Sequence, residues 1–493
     1  MKKYILSLDQ GTTSSRTVLF DEKGMICGIS QKETRQIYPK HGWVEQNPIE
    51  IYQTQLQTLK NVVKENKINA ADIVAMGISN QRETTVVWNK TTGKPIYNAI
   101  VWQDLRTSTY CKELKEKGFE KYIHENTGLR IDSYFSATKI KWILENVPKA
   151  KAQAQKGMLL FGTIDTWLLW NLTNGKVHAT DYSNASRTLL FNIKTLEWDQ
   201  KLLDIFEIPR SMLPKVKASS DDFGAFDFQN YKLPITGIAG DQQAALFGQA
   251  CFEKGDVKST YGTGCFLLMN TGEKPHYSKH GLLSTIAWGL NGKIYYALEG
   301  SVFMAGAAVQ WLRDALKIVK TAKETELIAK KIKDDYSVFV VPALSGLGAP
   351  YWDTDARGAI FGLSQNTGKD HLIKATLEAI AYQCKDLIIA MQHDAKVTLN
   401  SLKVDGGASA NNYLMQFQAD ILNTIIERAK TIESTALGAA YLAGIGIGLW
   451  TMDDIVKIRN TEKKFMPEMD TNKSDQLYAK WEKAVQRTRD WED

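Results

Sequence analysis

The chain is 493 residues long, beyond the ~100–200 residues of one ordinary domain, so two large domains are expected, or three small ones. Apolar residues make up 44% and charged residues 24%, with 35 glycines and 11 prolines, which excludes disordered, collagen-like and low-complexity classes. The formal net charge of +6 is spread without long runs of one sign, which argues against nucleic acid as the main partner.

The first elements read as strand 4–9, a Gly11-Thr12-Thr13 turn, strand 17–20, a turn at 21–24 and strand 25–30, an antiparallel meander. The apolar run 4–8 is too short for a signal-peptide core. Strand 73–78 and strand 337–341 alternate with helical segments, which indicates an α/β class with mixed sheets. Around the middle, strand 257–261, Gly262-Thr263-Gly264 and strand 265–269 repeat the opening plan of strand, Gly-Thr turn, strand. A repeat at about half the chain length is what a duplication of two similar domains leaves, with the boundary near residue 250. Segment 371–392 carries Ile373, Leu377, Ile380, Cys384, Leu387, Ile388 and Met391 on one helical stripe, and Leu477, Trp481 and Val485 mark a final amphipathic helix that docks on the second domain. The uncharged run 434–452 exceeds the ~18 residues of a spanning segment. Its glycines, Gly438, Gly444, Gly446 and Gly448, instead predict a buried, closely packed helix that ends near Gly444.

Five scattered cysteines without a C-x-x-C pair suggest neither a disulfide framework nor a zinc site and fit a reducing, cytoplasmic compartment. The seven histidines form no metal-ligand pattern. No G-x-x-x-x-G-K-[ST] occurs, Asp222-Phe223-Gly224 lacks the other protein-kinase motifs, and Gly444-Ile445-Gly446-Ile447-Gly448 lacks the strand-then-helix context of a dinucleotide fingerprint.

Four segments carry chemistry. Asp9-Gln10-Gly11-Thr12-Thr13-Ser14-Ser15-Arg16 joins a carboxylate at a strand end to a hydroxyl-rich turn and an arginine. Thr12, Thr13, Ser14 and Arg16 can donate to phosphate oxygens, and Asp9 can hold Mg²⁺ through water. The same residues also make an ordinary polar hairpin, and the segment alone does not choose. Asn80-Gln81-Arg82-Glu83 follows a strand, where α/β sheets place ligands; Arg82 and Glu83 could grip a polyol, although the dipeptide alone favours a surface ion pair. Gly240-Asp241-Gln242-Gln243 opens a helix, so Asp241 is either a plain cap or a general base kept ionised by the helix N-terminus. Val404-Asp405-Gly406-Gly407-Ala408-Ser409-Ala410-Asn411 is strand, glycine pair, helix, a turn that admits a flat or charged ligand. The loop Ser345-Gly346-Leu347-Gly348-Ala349-Pro350-Tyr351-Trp352-Asp353 demands a fixed backbone, for a task the sequence does not show.

Together these residues, in this order, resemble the FGGY carbohydrate kinases along essentially the whole chain. The resemblance adds Val101-Trp102-Gln103-Asp104-Leu105-Arg106-Thr107 and two family signatures: one starts at Tyr134-Phe135-Ser136-Ala137-Thr138-Lys139, and the other runs from Gly406 through Gln416, Gln418 and Asp420. It implies two ribonuclease-H-like, actin-fold domains, spanning 1–250 and 251–493, with ATP and Mg²⁺ in the cleft between them and transfer of the γ-phosphoryl group to a terminal hydroxyl of glycerol. By the same resemblance Arg82, Glu83, Tyr134, Asp241 and Gln242 bind the acceptor hydroxyls, Trp102 and Phe266 line its carbons, and Asp241 is the base. Thr12, Thr13, Ser14, Arg16, Thr263, Gly306, Gln310, Gly407 and Asn411 hold the nucleotide, and Asp9 orders Mg²⁺. A homo-oligomer, dimer or tetramer, is expected. Some family members carry an Arg-containing loop that binds a sugar bisphosphate, or a phosphorylated histidine; segment 221–236 has neither Arg nor His, so neither control is expected. Two other readings compete: a sibling kinase for a pentulose, hexonate or tetritol, and an actin-like or chaperone-like ATPase that binds a protein partner.

Overall fold

The computed structural model describes residues 2–332, 335–353, 355–431 and 433–492. The opening meander forms as β1 (Tyr4–Gln10), β2 (Ser14–Asp21) and β3 (Ile26–Glu33), all antiparallel. Ile5, Leu6 and Leu8 are all fully buried, so β1 is covered on both faces and its apolar run is nearly continuous. β4 (Ile73–Asn80) pairs parallel to β1; β5 (Ala225–Phe228) and β6 (Tyr231–Gly240) form a hairpin whose β6 lies parallel to β4. That hairpin, which includes most of segment 221–236, turns through Gln229 and Asn230 at φ 49° and 68°, the left-handed backbone a two-residue turn requires. The strand order is β5-β6-β4-β1-β2-β3.

The second sheet contains β7 (Val257–Tyr261), β8 (Cys265–Gly272), β9 (Leu283–Leu290), β10 (Lys293–Val302), β11 (Ser401–Asp405), β12 (Ile425–Ala429) and β13 (Thr461–Phe465), in the order β9-β10-β8-β7-β11-β12-β13. Here too an antiparallel trio (β7, β8, β10) continues into two parallel strands (β11, β12) and an antiparallel edge strand. The repeat seen at the two Gly-Thr turns therefore extends to whole sheets. The strand expected at 337–341 is shorter, Phe339–Val341, and pairs in a separate hairpin with Ala359–Phe361.

Helix α1 (Pro48–Glu65) starts where the Asn47 side chain accepts the Ile49 N–H at 2.9 Å, with Pro48 in the first turn. It packs on β2, where Ser15 and Thr54 share a hydrogen bond. The other helices that position the site are α2 (Asp241–Gly248), α3 (Gly306–Asp314), α4 (Lys369–Ala395), α5 (Asn412–Leu422), α6 (Ser434–Gly446) and α7 (Thr471–Gln486). The stripe expected on α4 is buried throughout. α7, capped by Asp470, docks on it with Trp481 stacked on Tyr382 at 5.2 Å.

The uncharged run forms α6, two residues longer than expected, and this helix of the second half lies against α2 and against β1, β4 and β6 of the first sheet. The approach is backbone to backbone. A Cβ on Gly248 would stand 2.1 Å from the Ser434 carbonyl oxygen, and one on Gly438 would stand 1.8 Å from that of Ala244. Around this crossing a single cluster joins Ile5, Val18 and Phe20 of the first sheet to Leu268 and Ala297 of the second. Among the described residues no helix is long and apolar enough to cross a membrane.

Candidate active site

The site grows from loops at the C-terminal ends of the parallel strands, where open α/β sheets place ligands. After β1 the Gly11 N–H donates to the Ser14 carbonyl at 3.0 Å and closes the turn. The Thr12 carbonyl accepts from Gln46 Nε2 at 2.5 Å and Gln36 Nε2 at 3.1 Å, which anchors the turn from behind. Thr12 Oγ1 accepts the Trp102 indole N–H at 2.9 Å, Ser14 Oγ accepts from Gln31 at 3.1 Å, and the Thr13 carbonyl takes the Thr34 N–H. Strand register sets Asp9 opposite Arg16 on β2 and Ser79 on β4, and Ser79 donates to Asp9 Oδ1 at 2.8 Å. Burial pushes the Asp9 carboxyl up to about 6 against the pull of Arg16 and Ser79. Arg16 itself is ion-paired with Glu433, at the foot of α6.

Arg82 and Glu83, at the end of β4, are 3% and 1% exposed, so the pair is not a surface ion pair. The Arg82 guanidinium spans both halves: both terminal nitrogens bind Glu299 on β10, Nη1 also reaches Gln243 Oε1 at 3.2 Å, and Nε lies 3.2 Å from Asp241 Oδ1. Glu83, at φ 61°, accepts from Arg187 Nε at 2.6 Å, and Arg187 Nη2 donates to Glu299 at 2.9 Å. Burial pushes Glu83 up despite the two arginines, whereas for Glu299 Arg187 and Arg82 outweigh burial and bring the carboxyl down to about 2.

Tyr134 lies 3.5 Å from Arg82 Nη2 and meets the Trp102 ring edge-on at 5.4 Å. Its backbone is held by the buried Lys139, whose ammonium donates to the carbonyls of Ser133, Tyr134 and Phe135. The Trp102 backbone N–H donates to Thr84 Oγ1 at 3.3 Å, and in the turn that follows Asp104 accepts the Val44 N–H at 2.6 Å and the Arg106 guanidinium, which stacks 3.8 Å over Trp43.

Asp241 is the first residue of α2; its side chain is 30% exposed and accepts the Gln242 N–H at 2.7 Å. Burial raises its pKa, while the Arg82 guanidinium and the Gln242 N–H pull it the other way. Phe266 stands half-buried on β8 opposite Thr260.

At the corresponding end of the second sheet the lining changes character. A cavity of ≈ 700 Å³ is bounded by Gly262, Thr263, Gly306, Gln310, Gly407 and Asn411, among others. Its floor depends on glycine: the Gly306 N–H donates to the Gly262 carbonyl at 3.0 Å, and a Cβ at 306 would sit 2.6 Å from that oxygen. Asn411 caps α5 by accepting the Leu414 N–H at 3.0 Å.

The structure thus brings Arg82, Glu83, Trp102, Tyr134 and Asp241 into one cluster, gathers Thr263, Gly306, Gln310, Gly407 and Asn411 around the cavity, and ties the Thr12 turn to the first group through Trp102. Sequence reasoning missed Arg187, Gln243, Lys258 and Glu299. Lys258 carried a signal, since it is the lone charge of the strand Val257–Tyr261, where a buried charge needs a partner. Asp9 and Asp241 suit a cation that arrives with phosphate: Asp9 is a buried carboxylate beside one arginine, and among the described residues no group of three acidic, His or Cys side chains would hold a metal unaided.

Models of the FGGY family of carbohydrate kinases match residues 4–248 as its N-terminal domain and 257–447 as its C-terminal domain. The glycerol kinase of Fusobacterium nucleatum is 59% identical over 496 residues, covering 100% of both chains. Glycerol kinase 2 of Thermotoga maritima is 58% identical over 493 residues, 99% of each. The crystal structure of Plasmodium falciparum glycerol kinase with ADP matches with a TM-score of 0.94 at 40% identity, over 99% of this chain and 98% of that one. Gluconate kinase from Lactobacillus acidophilus shares the fold, at a TM-score of 0.88 and 23% identity over 99% and 98% of the two chains. From the two duplicated sheets, the matched domains and relatives of this identity over the whole length, the chain belongs to the FGGY family of carbohydrate kinases.

Proposed function

We propose that this chain transfers the γ-phosphoryl group of ATP to a terminal hydroxyl of glycerol, giving sn-glycerol 3-phosphate and ADP. The observation that carries the reading is the Arg82, Tyr134 and Asp241 cluster, which offers a charged donor, a phenol and a carboxylate within one small space at the end of the first sheet. A short polyol presents hydroxyls that both donate and accept, and these groups answer it. Relatives 58–59% identical over their full length that are named glycerol kinases support the same substrate.

In this reading Arg82, Glu83, Tyr134 and Gln242 orient the acceptor hydroxyls, and Trp102 and Phe266 cover its carbons. Asp241 takes the proton of the attacking hydroxyl as that oxygen bonds to phosphorus and the bond to ADP breaks. The raised pKa of Asp241 makes it a better proton acceptor than an exposed aspartate. Thr12, Thr13, Ser14 and Arg16 receive the phosphates, and Thr263, Gly306, Gln310, Gly407 and Asn411 the rest of the nucleotide. Asp9 would hold the Mg²⁺ that arrives with ATP, and that ion would supply charge neutralisation on the phosphoryl oxygens. Residues 1–250 would hold the acceptor and phosphates and residues 251–493 the nucleotide, and holding both partners in line can contribute about 7–11 kcal/mol. Free thiols at all five cysteines suit a cytoplasmic enzyme.

The test is a panel of glycerol, tetritols, pentuloses and hexonates with Mg-ATP, scored by ADP release against a blank without acceptor. Glycerol should give the largest kcat/KM. A larger sugar as the best acceptor would make the chain a sibling kinase, and equal ADP release without acceptor would make it an ATPase.

A further inference from the structure

The charged groups around the acceptor site include one that the reading above leaves without a task. Lys258 lies on β7 of the second sheet, is completely buried, and reaches across to the first half: its Nζ donates to Gln242 Oε1 at 2.5 Å and to Thr260 Oγ1 at 3.0 Å. Burying an ammonium without a full counter-charge is unfavourable, and the strand could carry an apolar residue here without that penalty. Nothing about the pairing of β7 with β8 and β11 needs the amine, because strand pairing uses backbone groups.

What the ammonium supplies is direction. A side-chain amide can sit in two orientations of nearly equal shape, differing in which end is the donor. Lysine in its charged form has three donors and no acceptor, so the atom of Gln242 that faces it must be the carbonyl oxygen. With Oε1 committed to Lys258, Nε2 is the end of the amide left to donate elsewhere, on the residue that follows Asp241 in the first turn of α2. Without the ammonium the amide could turn over and present its oxygen instead, and two acceptors, that oxygen and the Asp241 carboxylate, would compete for one hydroxyl proton. Burial lowers the Lys258 pKa to about 8, with Asp405 and Asp241 holding it up, so the charged form prevails at neutral pH.

We propose that Lys258 is a positioning residue for the acceptor substrate: it locks the Gln242 amide with its N–H toward the acceptor, so that Gln242 donates to a substrate oxygen while Asp241 alone accepts the proton. This rests on the glycerol-kinase reading, and wild-type activity on glycerol is the control that separates the two; a wild type inactive on glycerol overturns that reading, whereas the outcomes below concern an active wild type.

The experiment compares steady-state kinetics of Lys258→Met, Gln242→Ala and the double variant, with glycerol and ATP varied separately. Lys258→Met should raise KM for glycerol roughly tenfold, the size of one lost oriented hydrogen bond, and leave KM for ATP within about twofold. In the Gln242→Ala background the same change should add nothing, since the residue it orients is gone. A Lys258→Met effect that persists in full without Gln242, or a rise shared equally between the two substrates, overturns the proposal. Gln242→Glu guards against a folding failure of the lysine variant: it keeps a partner for Lys258 but has no donor to offer, and should also raise KM for glycerol. A wild-type KM in Gln242→Glu overturns the donor assignment.

Discussion

The two sheets share one strand plan, yet the loops at their corresponding ends have opposite chemistry. The first sheet ends in charge: Arg82, Glu83 and Asp241, with Arg82 and Glu83 locked to Glu299 and Arg187. The second ends in Gly262, Gly306 and Gly407 around a cavity, and the charges that line it, Arg313, Lys323 and Glu326, belong to helices beside it and not to a buried cluster. A duplicated scaffold fixes where the loops lie and leaves their contents free, so one copy can specialise in hydroxyl recognition and the other in enclosing a flat, bulky ligand. The contrast extends to buried carboxylates. Glu299, between two arginines, is brought down to about 2. Asp386, deep in the second half on α4, is pushed up to about 7 by burial, because its partners are the neutral Tyr478 hydroxyl at 2.6 Å and Trp481 indole at 3.0 Å.

The comparison is broken most severely by Asp241→Asn, which keeps the shape of the charged end and removes its proton acceptor. Turnover should fall by about 10²–10⁴-fold while circular dichroism and the melting temperature stay near wild type. Near wild-type kcat would remove Asp241 from the role of base. Next in size, Glu299→Gln leaves Arg82 and Arg187 with one carboxylate fewer in a dry site and should cost about 3–5 kcal/mol in urea unfolding, with KM for glycerol raised. On the other side of the comparison, a Cβ at 407 meets nothing within 4 Å. Gly407→Leu should therefore fill the cavity and raise KM for ATP about tenfold, with little change in stability or in KM for glycerol.

The last test reads the second carboxylate through pH. The folded-state pKa of Asp386 lies above its unfolded value, so between pH 4 and 7 the folded state binds the extra proton, and the wild type loses stability as pH rises through that window. The slope is at most about 1.4 kcal/mol per pH unit. Asp386→Asn cannot ionise, so its melting temperature relative to wild type should climb from pH 5 to pH 8; a constant difference would mean that Asp386 titrates normally.

These contrasts also show what a sequence can reveal. The meander, the second Gly-Thr hairpin, the α4 stripe and the α7 docking face were legible because alternation, turn residues and helical spacing are local. The Asp9–Arg16 turn, Arg82 with Glu83, Asp241, and the Gly406–Asn411 loop stood in local motifs at strand ends, whereas Trp102, Tyr134, Phe266, Gly306 and Gln310 came only through the family resemblance. Arg187 and Glu299 had neither mark, since they act on Arg82 and Glu83 from far along the chain, and only folding reveals that those charges are buried together. The same blindness holds for Asp241: a helix N-terminus is visible in sequence, whereas the burial that raises its carboxyl is not. The placement of α6 on the first sheet was likewise hidden, because a uniformly apolar helix carries no mark of which core it enters.

The ion pair between Arg16 and Glu433 has a consequence for anion selection. The guanidinium beside the Thr12 turn already has a carboxylate for company, so an arriving anion must displace an incumbent and does not simply fill a vacancy. Chloride or acetate, singly charged, offers Arg16 nothing better than it has. Glu433 is thus an internal competitor for any anion that approaches Arg16, and a polyphosphate, with several charges, is better equipped for that exchange than a singly charged ion.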